Sequence, residues 1–302
     1  MKIIIVLNWN GKHDTIQRLA SLKALTTAHS VLVVDNGSTD DSALEIARAF
    51  PDVEVIATGS NLGYAEGNNV GLRHALKNSP DAILILNNDT VVEPNLLSAF
   101  LKRDLPIQGG SLVQMSNPER LDHIGGMWNI KTGRFDLVAF NALASECTEP
   151  LSLDYLSDWC YRAAKAGYRA TLWPEATVHH RGSASFVSGV PHTTYYWWRN
   201  RLLWMELHCS KEERRRQIWK MLPELILTFR RYLVKSLQRC FSKSTLERRL
   251  RLGTYRATLA GVRDYFLRRF GAGPRWLVSP EFRAAPAAAG AGQPEKSEGL
   301  RK

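Results

Sequence analysis

Four short β-branched runs alternate with segments of helical spacing through the first hundred residues, and this alternation constrains the fold more than any other feature. Residues 3–7, 31–34, 53–57 and 82–86 read as strands. Residues 14–25, 40–50 and 65–77 carry apolar positions at helical intervals between them, and 93–102 follows the fourth strand. Such a β-α-β-α order predicts a parallel sheet covered by helices on both faces, with crossovers of ordinary length. Ligands of an open α/β sheet lie outside the carboxyl ends of its strands. Those ends are polar here in a repeated way: Asn8 and Asn10 after the first strand, Asp35 and Asn36 after the second, and Asn87, Asn88 and Asp89 after the fourth. Turn formation alone would explain any one of these clusters. Three at equivalent positions predict one shared crevice.

The remainder is organised differently. Residues 131–157 read as irregular, 158–167 as a short helix, 169–173 as a strand, and the chain after Val190 as helical to about Phe270. Residues 284–302, rich in Ala, Gly, Pro and charge, read as a disordered tail. The expected organisation is an α/β domain over 1–189, a basic amphipathic helical region over 190–272 and a tail over 273–302. A chain of 302 residues with 44% hydrophobic content can bury one large core and carry a smaller second unit.

The formal charge of +11 is unevenly spread: residues 1–194 hold 16 basic and 20 acidic side chains, whereas 195–275 hold 20 and 6. Trp, Leu, Ile and Phe are interleaved with those charges at helical spacing, which fits an anionic membrane surface through 195–270 better than nucleic acid. A helical cap packed on the α/β domain would show the same pattern. Cys147, Cys160, Cys209 and Cys240 form no CxxC pair and fit a reducing cytosol rather than a disulfide scaffold or zinc knuckle. The run after Lys2 stops at Asn8, shorter than a signal-peptide core, and charged residues interrupt every later apolar stretch before the roughly 18 residues of a spanning helix. Peripheral attachment from the cytoplasmic side is the expectation.

Three motifs carry chemistry. In VVDNGSTD, residues 33–40, a buried strand delivers Asp35 to the sheet edge, Gly37 permits a sharp turn, and Ser38 or Thr39 is placed to cap the next helix. A carboxylate there can accept a hydrogen bond from the imide N–H of uracil or thymine. In NLGYAEGNNVGL, residues 61–72, Asn61, Gly63 and Asn68 offer backbone and amide groups to a base or ribose at a helix start. In ILNNDT, residues 85–90, an apolar strand ends in two amides and Asp89. Magnesium and manganese prefer oxygen ligands and bridge phosphate oxygens, so one or two side chains suffice when a diphosphate supplies the rest. No GxGxxG is present, which disfavours an ordinary dinucleotide fold.

Taken in order from the opening IVLNWNG of residues 5–11, these segments resemble glycosyltransferase family 2, particularly its bacterial rhamnosyltransferase-like members, over most of residues 1–271. The resemblance implies a GT-A fold, a Rossmann-like and mostly parallel sheet followed by a helical C-terminal segment. It implies that Asp35 and the Asn61 loop hold the nucleotide, with Asn8, Asn10, Asn36, Gly63, Asn68, Asn87 and Asn88 in the same nucleotide-sugar-binding set. Residues 87–89 become a variant of the DxD motif in which Asp89 meets a divalent cation, Mg2+ or Mn2+. WPEATVHHRGSAS, residues 173–185, resembles the closing segment of the family, and His180 matches the histidine that completes the metal and diphosphate site. Adjacent histidines on an extended segment face opposite ways, so at most one of His179 and His180 enters it. Residues 195–208 and 260–271 resemble the helical region after the catalytic domain. The implied function is inverting transfer of a sugar, rhamnose or a related hexose, from a nucleotide-diphosphate donor to a lipid-linked or cell-surface polysaccharide acceptor, at the inner face of the plasma membrane and without nucleic acid.

One departure bears on catalysis. In the family a strand and a helix separate a segment like LDYLS from one like DWCYRAAKAGYR and end in an acidic motif containing the base; here 153–157 runs directly into 158–169. Asp158 matches the last acidic position, while Tyr155 and Leu156 stand where the Glu and the catalytic Asp belong, so Asp158 or Asp154 would have to take the role. Residues 135–143 are the nearest segment able to cover the surface that such a loss exposes. A shortened active enzyme, an internal deletion, and a catalytically impaired nucleotide-binding, membrane-associated descendant all fit. A sugar nucleotidyltransferase is disfavoured because residues 8–12 lack the glycine-rich basic loop of that group.

Overall fold

A computed structural model of the chain describes residues 1–153, 158–181, 190–239, 245–279 and 282. Two compact units divide at Ser183 and Ala184.

The first unit is built around β1 (Lys2–Asn8), flanked by β2 (Ser30–Asp35) and β4 (Ala82–Asn87), with β3 (Glu54–Ala57) outside β2 and all pairings parallel. Both faces of β1 are covered, which is why it reads as a continuous apolar run. Ile4 and Val6 pack with Leu19, Leu22, Ile46, Leu96 and Leu97, whereas Ile3 and Ile5 pack with Leu32, Val34 and Ala75. The helices on the former side are α1 (Lys12–Leu22), α2 (Ser42–Ala49) and α4 (Leu96–Leu101), and on the latter side α3 (Tyr64–Leu76) contributes Ala75 while Leu32 and Val34 belong to β2. The register sets Asn8 opposite Asp35 and Leu7 opposite Asn87, so the three polar ends finish at one level.

Three of these helices are shorter than their spacing predicts, and α3 has the expected length one residue earlier. The fourth begins at Leu96 because β5 (Thr90–Val92) and Pro94 occupy the stretch before it. Neither Ser38 nor Thr39 caps α2: Asp41, at φ +57°, is the capping residue and no side chain closes the turn. Ser38 is committed elsewhere, as its backbone N–H and hydroxyl both serve the site below.

A second, mixed sheet joins β6 (Ile107–Gln114), β7 (Asn117–His123), β10 (Leu151–Leu153) and β11 (Ala170–His180) in the order β10-β11-β6-β7, with β5 antiparallel to β11. The strand expected over 169–173 therefore continues to His180, through a register shift between Trp173 and Thr177. Gly110 makes that shift possible, since a Cβ there would lie 2.2 Å from the Ala176 carbonyl oxygen. Residues 131–157 are less irregular than expected: β9 (Arg134–Leu137) pairs with β8 (Gly126–Asn129), and β10 belongs to the sheet. Within 135–143, Val138, Ala139 and Ala142 pack on Val113, Leu121, Ile124 and Leu172, covering one face of this sheet. On α5 (Asp158–Lys165), Cys160 and Ala163 pack against Ile107 and Ala170.

The second unit holds α6 (Pro191–His208), α7 (Lys211–Arg239) and α8 (Leu246–Phe266), so the helical stretch is three helices ending four residues before Phe270. Tyr195 packs with Ala257 and Ala260, its hydroxyl donates to Asp264 at 2.9 Å, and Arg199 donates to the Gly271 carbonyl at 2.7 Å. Of the aromatics expected at a headgroup boundary in residues 195–208, Tyr195, Trp198 and Trp204 are instead buried. Among the described residues no helix is long and apolar enough to cross a membrane. The expected tail at 284–302 lies outside the described residues.

Candidate active site

Asp35 reaches the strand end with both carboxylate oxygens engaged. Asn8 Nδ2 donates to Oδ1 at 2.8 Å, and the Ser38 backbone N–H donates to Oδ2 at 3.1 Å. Asn8 is fully buried and its amide is spent inside the protein: Nδ2 also meets Ser38 Oγ at 3.1 Å, and Oδ1 accepts from Thr15 Oγ1 at 2.7 Å. It orients Asp35 rather than facing a ligand. Asn36 is likewise a clamp, donating to Asn61 Oδ1 and the Gly63 carbonyl and accepting from the Leu62 N–H at 3.0 Å. That clamp fixes the Asn61–Gly63 loop at the start of α3, where Gly63 at φ +83° precedes the first turn. Asn10 joins the loops after β1 and β2 by accepting from the Thr39 N–H at 2.7 Å. Asn68 is buried within α3 and donates to the Tyr64 carbonyl.

The same network extends to the end of β4. Asn88 donates to Thr15 Oγ1 at 3.1 Å, Tyr64 donates its hydroxyl to Asn87 Oδ1 at 3.0 Å, and Thr90 Oγ1 donates to the Asn87 carbonyl. Beneath them Arg18, fully buried on α1, donates through Nε and Nη2 to that carbonyl at 3.2 and 2.8 Å. Burial lowers the Arg18 pKa to about 9, against the opposing pull of Asp89.

His180 completes the cluster. Its Nε2 lies 3.4 Å from Asp89 Oδ2 and its Nδ1 lies 2.6 Å from Asp122 Oδ2, with the imidazole almost wholly buried. The bond to Asp122 first, and that to Asp89 second, raise the His180 pKa to about 9, while His180 holds the Asp122 carboxyl below its ordinary range. Asp122 gets there through a β-bulge. Leu121 and His123 pair with the consecutive residues Val113 and Leu112, leaving Asp122 as the extra residue between them, a device that re-aims a side chain. His179 faces the other way and meets Glu93 at 2.5 Å, as alternation along a strand requires.

The residues fit a divalent cation. Asp89 Oδ1 is buried and has no hydrogen-bond partner, so one carboxylate oxygen is left uncommitted. An imidazole donating Nδ1–H to a carboxylate presents its Nε2 lone pair, here toward Asp89, which is the usual carboxylate–histidine–metal relay. Among the described residues no group of three or more His, Cys, Asp or Glu side chains could hold a metal by itself, so Asp89 and His180 would need phosphate oxygens to fill the coordination.

The acceptor side is different. Asp154, Tyr155 and Leu156 lie outside the described residues. Asp158 is half-exposed and bound to Arg162 at 2.9 Å. Its helix packs at Ala170, opposite Ile107, while His180 is opposite Gln114. Seven residues of β6 separate those levels, about 23 Å at the rise of a strand. Thus Asp35, Asp89 and His180 are brought together and Asp158 is not among them. The sequence reading missed Asp122, Arg18 and Thr15. A lone Asp in a polar strand, an Arg on a helix and a Thr near a turn give no signal of their own; only the bulge and the burial distinguish them.

The Glycosyl transferase family 2 model matches residues 3–105, which contain Asn8, Asp35, Asn61 and Asp89. That match covers about a third of this chain, the stretch that holds the four-stranded parallel sheet and its flanking helices. Curated proteins similar to this chain include the N-acetylglucosaminyl-diphospho-decaprenol L-rhamnosyltransferase of Mycobacterium tuberculosis, 33% identical over 33% of this chain and 36% of that protein. The succinoglycan biosynthesis protein ExoU of Rhizobium meliloti is 36% identical over 34% of this chain and 30% of its own length. The match thus spans about a third of those relatives. Among solved structures, the mannosyltransferase PcManGT from Pyrobaculum calidifontis in complex with GDP-Man and Mn2+ aligns over 89% of this chain and 87% of its own, at 15% identity and a TM-score of 0.45.

Proposed function

We propose that the chain is an inverting glycosyltransferase that moves a sugar, rhamnose or a related hexose, from a nucleoside-diphosphate donor to a lipid-linked or cell-surface polysaccharide acceptor at the inner face of the plasma membrane. One observation carries this reading: a single hydrogen-bonded network runs from Asp35 through Asn8, Thr15 and Asn88 to the strand end that bears Asp89, and Asp89 faces an imidazole fixed by Asp122. The similarity to a rhamnosyltransferase of a decaprenol-diphosphate sugar supports the class of donor and acceptor.

Asp35 and the Asn61–Gly63 loop would bind the nucleoside. Asp89 and His180 would hold Mg2+ or Mn2+, whose bound charge stabilises the departing diphosphate. Asp122 keeps His180 Nδ1 protonated, and Arg18 holds the backbone at Asn87 so that Asp89 stays aimed. A general base must take the proton of the attacking acceptor hydroxyl; with Asp158 bound to Arg162 and remote from His180, Asp154 is the residue left for that role. A second reading, a donor-binding protein with impaired transfer, is favoured by one placement: Leu153 pairs with Ala170, so the chain enters residues 154–157 from the end of β11 remote from His180. The test is release of nucleoside diphosphate from dTDP-, UDP- and GDP-sugars by the purified chain with Mn2+, with and without a polyprenyl-diphosphate sugar. Acceptor-dependent release supports transfer; metal-dependent binding without release supports the second reading; no binding of any donor sinks both.

A further inference from the structure

We infer that the outer face of α7 docks the protein in the plane of an anionic lipid bilayer. This deepens the membrane placement in the proposed function by naming the element responsible, and it stands on observations independent of the active site.

One side of α7 is inside the protein, with Gln217 and Met221 only 1% and 3% exposed. At 100° per residue Trp219 lies about 160° round the helix from both. From there Ile226, Leu233 and Leu237 follow at seven, seven and four residues, forming one stripe about 27 Å long. All four are open to solvent, at 63%, 59%, 46% and 67%. Leu227 and Val234 widen the stripe on one side and are themselves exposed. Exposed Arg215, Arg216 and Arg230 lie within it and Arg231 beside it. Large apolar side chains kept in water along five turns of a helix mark an interaction surface rather than scattered surface residues.

Charge decides the occupant. The helix carries nine basic and three acidic residues, so a second copy laid against it would set like charges together. Nucleic acid would meet the cations and leave the apolar stripe in water. A bilayer with anionic headgroups satisfies both features: Trp and Leu enter the boundary of the acyl region while Arg and Lys extend to the phosphates. Since none of the described helices can span, α7 lies along the surface.

The test is sedimentation of the full chain with vesicles of phosphatidylcholine alone or with about 30% phosphatidylglycerol, a content at which each basic residue contributes appreciably. Two variants are compared, I226E/L233E/L237E and R230E/R231E, each checked by circular dichroism. The expected result is binding to the anionic vesicles at least about tenfold tighter than to neutral ones, and a loss of at least about tenfold in either variant. Wild-type protein that ignores anionic vesicles, or variants that bind as well as wild type, would overturn the assignment. So would a wild-type dimer that the triple substitution dissolves, since the stripe would then be a contact between copies. Donor release by a chain that fails to bind vesicles would remove the docking assignment and leave the transferase reading standing.

Discussion

Asp122→Asn isolates what a carboxylate does when it touches only the far nitrogen of His180. The side chain keeps its shape and an acceptor oxygen, so the Nδ1–H bond, 2.6 Å in the wild type, persists without its charge. A hydrogen bond to a charged partner contributes about 1.5–3 kcal/mol and a neutral one about 0.5–1.5, so the substitution removes about 1–1.5 kcal/mol of the preference for the tautomer that presents Nε2. That is roughly tenfold in affinity for Mg2+ or Mn2+. Asp122→Leu removes the acceptor altogether and frees the ring to adopt either tautomer, which places the loss near the hundredfold limit seen for such partners. Calorimetric titration of metal in the presence of a nucleoside diphosphate gives the affinities. Nitrogen-15 shifts of the His180 ring with Mg2+ bound give the tautomer, a readout that a general loss of stability would not move. Equal metal affinity in all three proteins, or an unchanged tautomer in Asp122→Leu, would refute the reasoning.

Three further outcomes follow from the geometry. Gly37→Ala places a Cβ 2.4 Å from the Ser60 carbonyl carbon at φ +74°; it should cost at least about 2 kcal/mol in urea unfolding, and an unchanged midpoint would contradict the close approach. Arg18→Ala leaves a cavity and the Asp89 charge without its buried cation, for a loss of about 3 kcal/mol, and a stability within error of wild type would show that the guanidinium does not hold the Asn87 turn. In the metal-free protein His180 keeps its proton up to about pH 9 instead of 6.5, so its contribution is complete below pH 6.5 and is lost as pH rises through 9. Unfolding with chelator at pH 6, 7.5 and 9.5 should show that decline in wild type and not in His180→Asn. Metal must displace the same proton, so its apparent affinity should rise with pH across this window; a fall would contradict the pairing.

The parallel sheet was legible because β1 and β2 are buried on both faces and, with β4, leave uninterrupted apolar runs, and their polar ends followed from the strand-end rule. Helix limits were less legible, since Ser38 satisfies Asp35 instead of capping α2, a tertiary demand that local propensity cannot register. Within residues 131–157, β9 and β10 escaped the reading because they have four and three residues, too few for periodicity to show. His180 could be named only by resemblance, and Asp122 not at all, because a one-residue bulge leaves no mark in the letters. The aromatics of α6 misled for a related reason: Trp198 and Trp204 beside arginines look interfacial, yet they are core, and the exposed apolar stripe is the less aromatic one on α7.

The central claim is that Asp35, Asp89 and His180 act on one nucleoside diphosphate with its cation. Calorimetry of dTDP, UDP and GDP binding, with and without Mn2+, in wild type, Asp35→Asn, Asp89→Asn and His180→Asn addresses it directly. The expected result is that Mn2+ tightens binding of at least one nucleotide, that Asp89→Asn and His180→Asn abolish the Mn2+ effect while retaining weak metal-free binding, and that Asp35→Asn weakens binding with and without metal. Mn2+-independent binding in wild type, or a Mn2+ effect that survives both Asp89→Asn and His180→Asn, would contradict it.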